Sequence, residues 1–263
     1  MTGFTLRHAL FLALLLPSAS LAQGLCTGFG PQAPRDIANT HGINRQSFSL
    51  AGPAESMNIC NIHTHTNAEH KGPGFSIFAG EGPHGGFLCN ETAELSAAEL
   101  RDSPRAHGAY HGVKPGDTIE VHWVFTSCSL APGQGLGACR SEETCRNPDL
   151  RVEAQVFLVV NDANAADFRD FAYMGNMVNG FHQPLSLPDA KDAVLYAGST
   201  TGSRYSNTAC SPYQATWSVR PRCMKVDIAS LHAWAGADAV FQEEHSHQVR
   251  QLVTAPELLA PIR

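Results

Sequence analysis

Two runs in which histidines alternate with apolar residues constrain this chain more than any other feature. In Thr118-Ile119-Glu120-Val121-His122-Trp123-Val124-Phe125, the apolar residues Ile119, Val121, Trp123 and Phe125 recur at a spacing of two. An extended backbone turns successive side chains to opposite faces, so the run specifies a strand with one apolar face and carries Glu120 and His122 together on the other. The second run, Asn61-Ile62-His63-Thr64-His65-Thr66, follows Met57, Ile59 and Cys60. It reads as a strand over about 56–66 with His63 and His65 on one face. Two imidazoles held at that spacing can fill two corners of a metal site, since neutral imidazole suits zinc and its neighbours. A third ligand has to come from another segment, and His122 is the best candidate. Glu69 and His70 complete a stretch, 63–70, that holds three histidines and a carboxylate.

The rest of the chain is organised around these runs. A length of 263 residues allows a full core in one domain. Leu150 to Val160 is the strongest strand signal, with shorter ones at 193–196 and 216–219. Lys114-Pro115-Gly116-Asp117 is a turn that launches the His122 strand, and Gly-rich loops fill 72–86 and 132–148. Helical character is confined to 92–101 with Thr92 as N-cap, to 167–174 and to 227–234. The pattern predicts a mainly β, single-domain protein with an antiparallel sheet core, long irregular loops and few short helices.

A net charge of −6 with 16% charged residues leaves no basic face for nucleic acid or an anionic membrane. Residues 1–22 read as a secretory signal: Arg7-His8, an apolar run from Ala9 to Leu16, and Ser20-Leu21-Ala22 as cleavage site. That apolar run is about half the length of a membrane span, so residues 23–263 are expected to be exported, periplasmic or secreted, without a membrane span. Eight cysteines follow: Cys26, Cys60, Cys89, Cys128, Cys139, Cys145, Cys210 and Cys223. An even number in an exported chain argues for disulfides. The absence of a Cys-x-x-Cys pair argues against a thiolate zinc site. The short closures Cys139–Cys145 and Cys210–Cys223 are the expected pairings.

The stretch His63-Thr64-His65-Thr66-Asn67-Ala68-Glu69-His70-Lys71-Gly72 resembles the metal motif of delta-class carbonic anhydrases. Glu120-Val121-His122-Trp123 resembles their second motif. Tyr196-Ala197-Gly198-Ser199-Thr200-Thr201-Gly202, with Cys210-Ser211-Pro212 and Trp217, resembles a third. The likeness spans roughly residues 55–235, and a more distant one extends to the alpha class. It implies an alpha-carbonic-anhydrase-like fold and one zinc ion per chain held by His63, His65 and His122. The implied reaction is reversible hydration of carbon dioxide to bicarbonate and a proton by a zinc-bound hydroxide. Glu120 would accept a hydrogen bond from His122, with His70 in the same outer layer of contacts. Glu69 would partner a threonine hydroxyl near the reacting oxygen, for which Thr200 is preferred; this turn is one residue shorter than in the alpha class and lacks its prolines.

The residues support that chemistry independently. Three neutral imidazoles leave the fourth zinc position open, as in catalytic rather than structural sites. The apolar wall for carbon dioxide is sought at Trp123 or Val124, and a proton-carrying histidine among His70, His84, His107 and His111. A cupin-like metalloprotein is the first alternative, with Glu69 as a direct ligand and iron or manganese favoured; the glycines and proline expected around its motifs are missing. A metallo-β-lactamase-like hydrolase is weaker, because Asn67-Ala68 stands where Asp-His is needed. A non-catalytic exported zinc-binding protein is the third alternative, served by histidines such as His245 and His247, although that pair reads as polar surface.

Overall fold

The computed structural model describes residues 24–46, 50–82, 85–200, 205 and 207–263. The expected signal segment, His84 and Thr201 lie outside the described residues. In chain order the elements are β1 (Asn58–Thr66), a hairpin of β2 (Ile77–Gly80) and β3 (Gly86–Leu88), β4 (Thr118–Thr126), β5 (Leu150–Val160), a hairpin of β6 (Met177–Val178) and β7 (Phe181–His182), β8 (Val194–Ser199), β9 (Gln214–Val219), β10 (Met224–Asp227) and α1 (Ile228–Ala237).

The valine-rich β5 is the centre of a six-stranded sheet because both of its faces are apolar and both are covered. The order is β1-β4-β5-β9-β8, and β10 shares with β9 one edge of β5. β4 runs antiparallel along that strand, whereas β9 pairs in parallel with residues 151–154 and β10 with 157–160. The protein is thus mainly β, as the alternation predicts, with a mixed rather than wholly antiparallel sheet. β9 and β10 act as one strand interrupted at Arg220–Cys223, where Pro221 cannot donate to a ladder; this break kept β10 out of the sequence reading.

The sheet buries its two faces against different partners. Ile62, Ile119, Val121, Trp123, Phe125 and Phe157 pack with Phe168, Leu231 and Trp234 from the 3-10 turn Phe168–Phe171 and from α1. Trp123 Nε1 donates to the Phe171 carbonyl at 2.9 Å. The opposite face holds Val124, Val152, Ala154, Val156, Tyr196 and Trp217.

Two groups of expectations are corrected. The disulfides are Cys26–Cys210, Cys60–Cys139, Cys89–Cys223 and Cys128–Cys145, so neither short closure forms. Cys210 and Cys223 are held apart by extended β9, whose six residues span about 20 Å. The Ser141/Cys145 turn, closed by reciprocal backbone bonds of 2.9 and 3.0 Å, presents Cys145 to Cys128 beyond the end of β4. The helix expected at 92–101 is a 3-10 segment, Asn90–Glu94, followed by turns. Thr92 Oγ1 donates back to the Cys89 carbonyl at 2.7 Å instead of capping, and Lys225 draws the Glu99 carboxylate away at 2.5 Å. The short helix at 167–174 shrinks to its 3-10 turn, and the one at 227–234 becomes α1, with Asp227 at its N-cap.

A C-terminal strap, residues 241–254, runs along the outer edge of β1. His247 pairs in parallel with His65, accepting from Thr66 N at 2.8 Å and donating to the Thr64 carbonyl at 2.7 Å. It thereby covers an edge that would otherwise template association.

Candidate metal centre

The β1–β4 register sets His63 opposite His122 and His65 opposite Glu120. Period-two alternation then gathers all four side chains on one face. Ligand atoms of His63, His65 and His122 lie within 4.8 Å of one another.

In two of the three rings the outward nitrogen is hydrogen-bonded, which fixes what the inward one can do. His63 Nδ1 is 2.7 Å from Asn61 Oδ1, and Asn61 is anchored by donating to the Gly133 carbonyl at 3.2 Å. His65 Nδ1 is 2.9 Å from the Gln248 carbonyl in the strap. Carbonyl oxygens only accept, so both Nδ1 atoms carry the hydrogen and both Nε2 atoms present lone pairs. His122 is turned the other way: its Nε2 is 3.2 Å from Glu120 Oε1, close but off hydrogen-bond alignment. Its Nδ1 lies 3.2 Å from His63 Nε2. Two nitrogens about 2.05 Å from one tetrahedral ion stand about 3.3 Å apart. Imidazole nitrogens brought this close repel each other unless a proton or a cation is shared, and three of them beside an open position fit zinc.

The electrostatics keep His63 and His65 neutral. Burial, reinforced by the neighbouring His122 and His65, holds His63 well below the ordinary histidine range. Burial also lowers His65, to about 4, against an opposing pull from Glu69. Glu120 is fully buried. Burial alone would raise its pKa, but His70 and His122 override that and hold it well below the carboxylate range. Its Oε1 accepts from His70 Nδ1 at 2.7 Å, and its Oε2 from the backbone N–H groups of Glu69 at 2.6 Å and His70 at 3.2 Å. His70 continues the chain to the Tyr196 hydroxyl at 2.6 Å and packs on Trp217 with ring centres 4.8 Å apart. His70, Glu120 and His122 also form a compact cluster, but both nitrogens of His70 are committed, one to Glu120 and the other to Tyr196.

Glu69 is buried, and its carboxylate accepts from Arg250: from Nε at 3.2 Å, from the second guanidinium nitrogen at 3.1 Å and from the backbone N–H at 3.0 Å. Burial pushes its pKa up, but Arg250 foremost, with His65 and His122, brings it below the ordinary range. Thr200 faces the same small cavity, its N–H donating to the Tyr213 carbonyl at 2.8 Å. That cavity, of about 20 Å³, is closed by the three histidines, Glu69, Arg250 and Thr200 on its polar side. Val124, Leu136, Val152 and Trp217 make the apolar side. It adjoins a cleft of about 1070 Å³ open to solvent. Val124 therefore lies at the apolar wall, whereas Trp123 belongs to the opposite core.

The remaining histidines separate by position. His70 is a buried hydrogen-bonded side chain, His107 is exposed and 2.7 Å from Asp102, and His111 is exposed. His245 and His247 are exposed, as read from the sequence, yet His247 stands over the centre, 5.9 Å from His63 and 6.2 Å from His65 between ring centres. The sequence reading passed over Asn61, Glu243, Gln248 and Arg250. Asn61 carries a usable signal, because it sits two residues before His63 on the same strand face. The others arrive on the strap from about 180 residues away, with no local pattern pointing to β1.

No curated protein matches the sequence. A family model described as delta carbonic anhydrase matches residues 54–230, from just before β1 into α1, leaving the strap outside the matched span. The match covers more than half of the chain and includes His63, His65, Glu69, Glu120, His122 and Thr200. The chain belongs to the delta carbonic anhydrase family.

Proposed function

We propose that this protein is an exported zinc carbonic anhydrase that hydrates carbon dioxide reversibly, holding one zinc ion per chain through His63 Nε2, His65 Nε2 and His122 Nδ1. The observation that carries the reading is the convergence of three imidazoles, two of them held in one tautomer by outward hydrogen bonds, beside a small apolar cavity. When bound there, zinc supplies an acidified water, with the pKa of about 7 that is established for carbonic anhydrase rather than worked out from this site.

The chain's own residues do the rest. Asn61 and the Gln248 carbonyl orient His63 and His65 from behind, and the Glu120 carboxylate stands 3.2 Å behind His122, so that metal binding requires little rearrangement. Val124, Leu136, Val152 and Trp217 offer a small uncharged substrate an apolar surface and give an anionic product no partner, which favours its release. Glu69 is neutralised by Arg250 and stands beside Thr200, whose hydroxyl is the group proposed to orient the reacting oxygen. A cupin-type centre would need Glu69 as a ligand, and its pairing with Arg250 opposes that. His70 supports Glu120. Four disulfides fit export, and we assign residues 1–22 as the signal segment, with release to the periplasm or medium. Among the described residues no helix is long and apolar enough to cross a membrane.

The test is a stopped-flow carbon dioxide hydration assay on zinc-loaded protein. Wild type is expected to accelerate hydration, and His65→Ala to be inactive and to lose the ion. Zinc-loaded wild type without activity would refute the enzyme reading.

A further inference from the structure

The strap repeats on its own backbone the spacing that built the centre. His245 and His247 are two apart in an extended segment lying parallel to β1, as His63 and His65 are on β1 itself. Ser246 between them is hydrogen-bonded to Thr66 Oγ1, which commits the intervening position to the strand and leaves both imidazoles for the cleft. Their ring centres are 5.8 Å apart. Beside them Glu243 is 6% exposed, with one carboxylate oxygen fixed by Thr64: the backbone N–H at 2.7 Å and the hydroxyl at 3.0 Å. Its other oxygen is aimed at His247 Nε2, 3.2 Å away. That contact is a hydrogen bond between a buried, anchored carboxylate and an exposed imidazole, and its length is also the separation that two ligand atoms keep around one divalent ion taking the place of the shared proton.

We propose that the rim of the cleft carries a second divalent-metal site, formed by Glu243, His247 and His245 and selective for the zinc–copper class. Two imidazoles and one carboxylate favour that class over magnesium or calcium, which take oxygen ligands. The three ligand atoms are not gathered as those of the inner centre are; Glu243 is anchored, and His245 and His247 are exposed, so their rings can turn to close the site. Its position, with His247 5.9 Å from His63, places a captured ion one step from the inner histidines and at the mouth through which any ligand passes. The site goes beyond the proposed activity and does not depend on it, since none of its ligands belongs to the inner centre.

The experiment is a zinc chloride titration of the metal-free full chain at neutral pH, read by competition with a chromophoric chelator. Three proteins are compared: wild type, His245→Ala/His247→Ala and His63→Ala/His122→Ala, each checked for folding by circular dichroism. The rim variant is expected to bind one equivalent fewer than wild type, and the inner variant to retain one equivalent that a weak chelator removes. Equal stoichiometry in wild type and the rim variant, or no zinc bound by a folded inner variant, overturns the rim site. Failure of the inner-centre reading shows differently, as equal stoichiometry in wild type and the inner variant.

Discussion

Replacing Glu120 with glutamine is a sharp probe, because the surroundings dictate how the new side chain must sit. The Oε2 position faces two backbone N–H groups, those of Glu69 and His70, which can only donate. The amide oxygen must therefore occupy that side, and the amide NH2 must replace Oε1 opposite His70 Nδ1 and His122 Nε2. His70 can adapt by exchanging tautomers and donating from Nε2 to the Tyr196 hydroxyl. His122 cannot adapt without harm. It either keeps a buried N–H facing another donor, or moves the hydrogen to Nδ1, the atom that faces His63 and the ion. His122 Nε2 has no aligned acceptor to begin with, so what the substitution removes is the carboxylate charge 3.2 Å away and what it adds is an opposing donor; groups behind a metal ligand are usually worth about 10- to 100-fold in affinity. Glu120→Gln should thus fold and lose zinc affinity by about 10–100-fold. A competition titration against a zinc chelator, with a thermal melt alongside, reads both quantities. Affinity within about twofold of wild type in a folded variant would refute the tautomer argument.

Arg250→Met should leave the buried Glu69 charge unpaired and destabilise the fold by about 3–5 kcal/mol in denaturant titrations; a loss below about 1 kcal/mol would show that Glu69 finds another partner. Val152→Phe fills the apolar side of the small cavity, so kcat/KM for hydration should fall at least about tenfold, about 1.4 kcal/mol of transition-state stabilisation, with zinc stoichiometry unchanged; unchanged kcat/KM would move the substrate elsewhere. Hydrogen bonds from Lys225 and Ser96 lower Glu99 from 4.5 to about 2. A lowered carboxylate stabilises the fold above the unfolded pKa and loses that contribution as pH falls from 4.5 toward about 2. Glu99→Gln should therefore be less stable than wild type near neutrality, with the gap closing across that window; a constant gap in urea midpoints would contradict the linkage.

The inner ligand set was legible because strand alternation is a local rule: Ile119, Val121 and Trp123 betray the buried face, and Glu120 and His122 then share the other. The parts that were not legible are long-range. Gln248, Arg250 and Glu243 reach β1 only because the C-terminal strap folds back along its edge, and nothing in their spacing announces that contact. Eight cysteines admit about 105 pairings, and short loop closure chose Cys139–Cys145 and Cys210–Cys223 where strand geometry dictates otherwise. Residues 92–101 have helical composition, but the Cys89–Cys223 bridge and the Glu99–Lys225 pair set their conformation. Trp123 follows His122 directly in sequence, yet the same alternation that joins Glu120 to His122 sends it to the opposite core.

The proposed centre requires three particular nitrogens to share one ion. Anomalous X-ray diffraction at the zinc edge, from crystals of protein loaded with one equivalent of zinc, tests this most directly. The structure predicts one strong peak about 2.0–2.1 Å from His63 Nε2, His65 Nε2 and His122 Nδ1, with Glu69 still paired to Arg250. A peak ligated by the Glu69 carboxylate, or one lying away from β1 and β4, would contradict it.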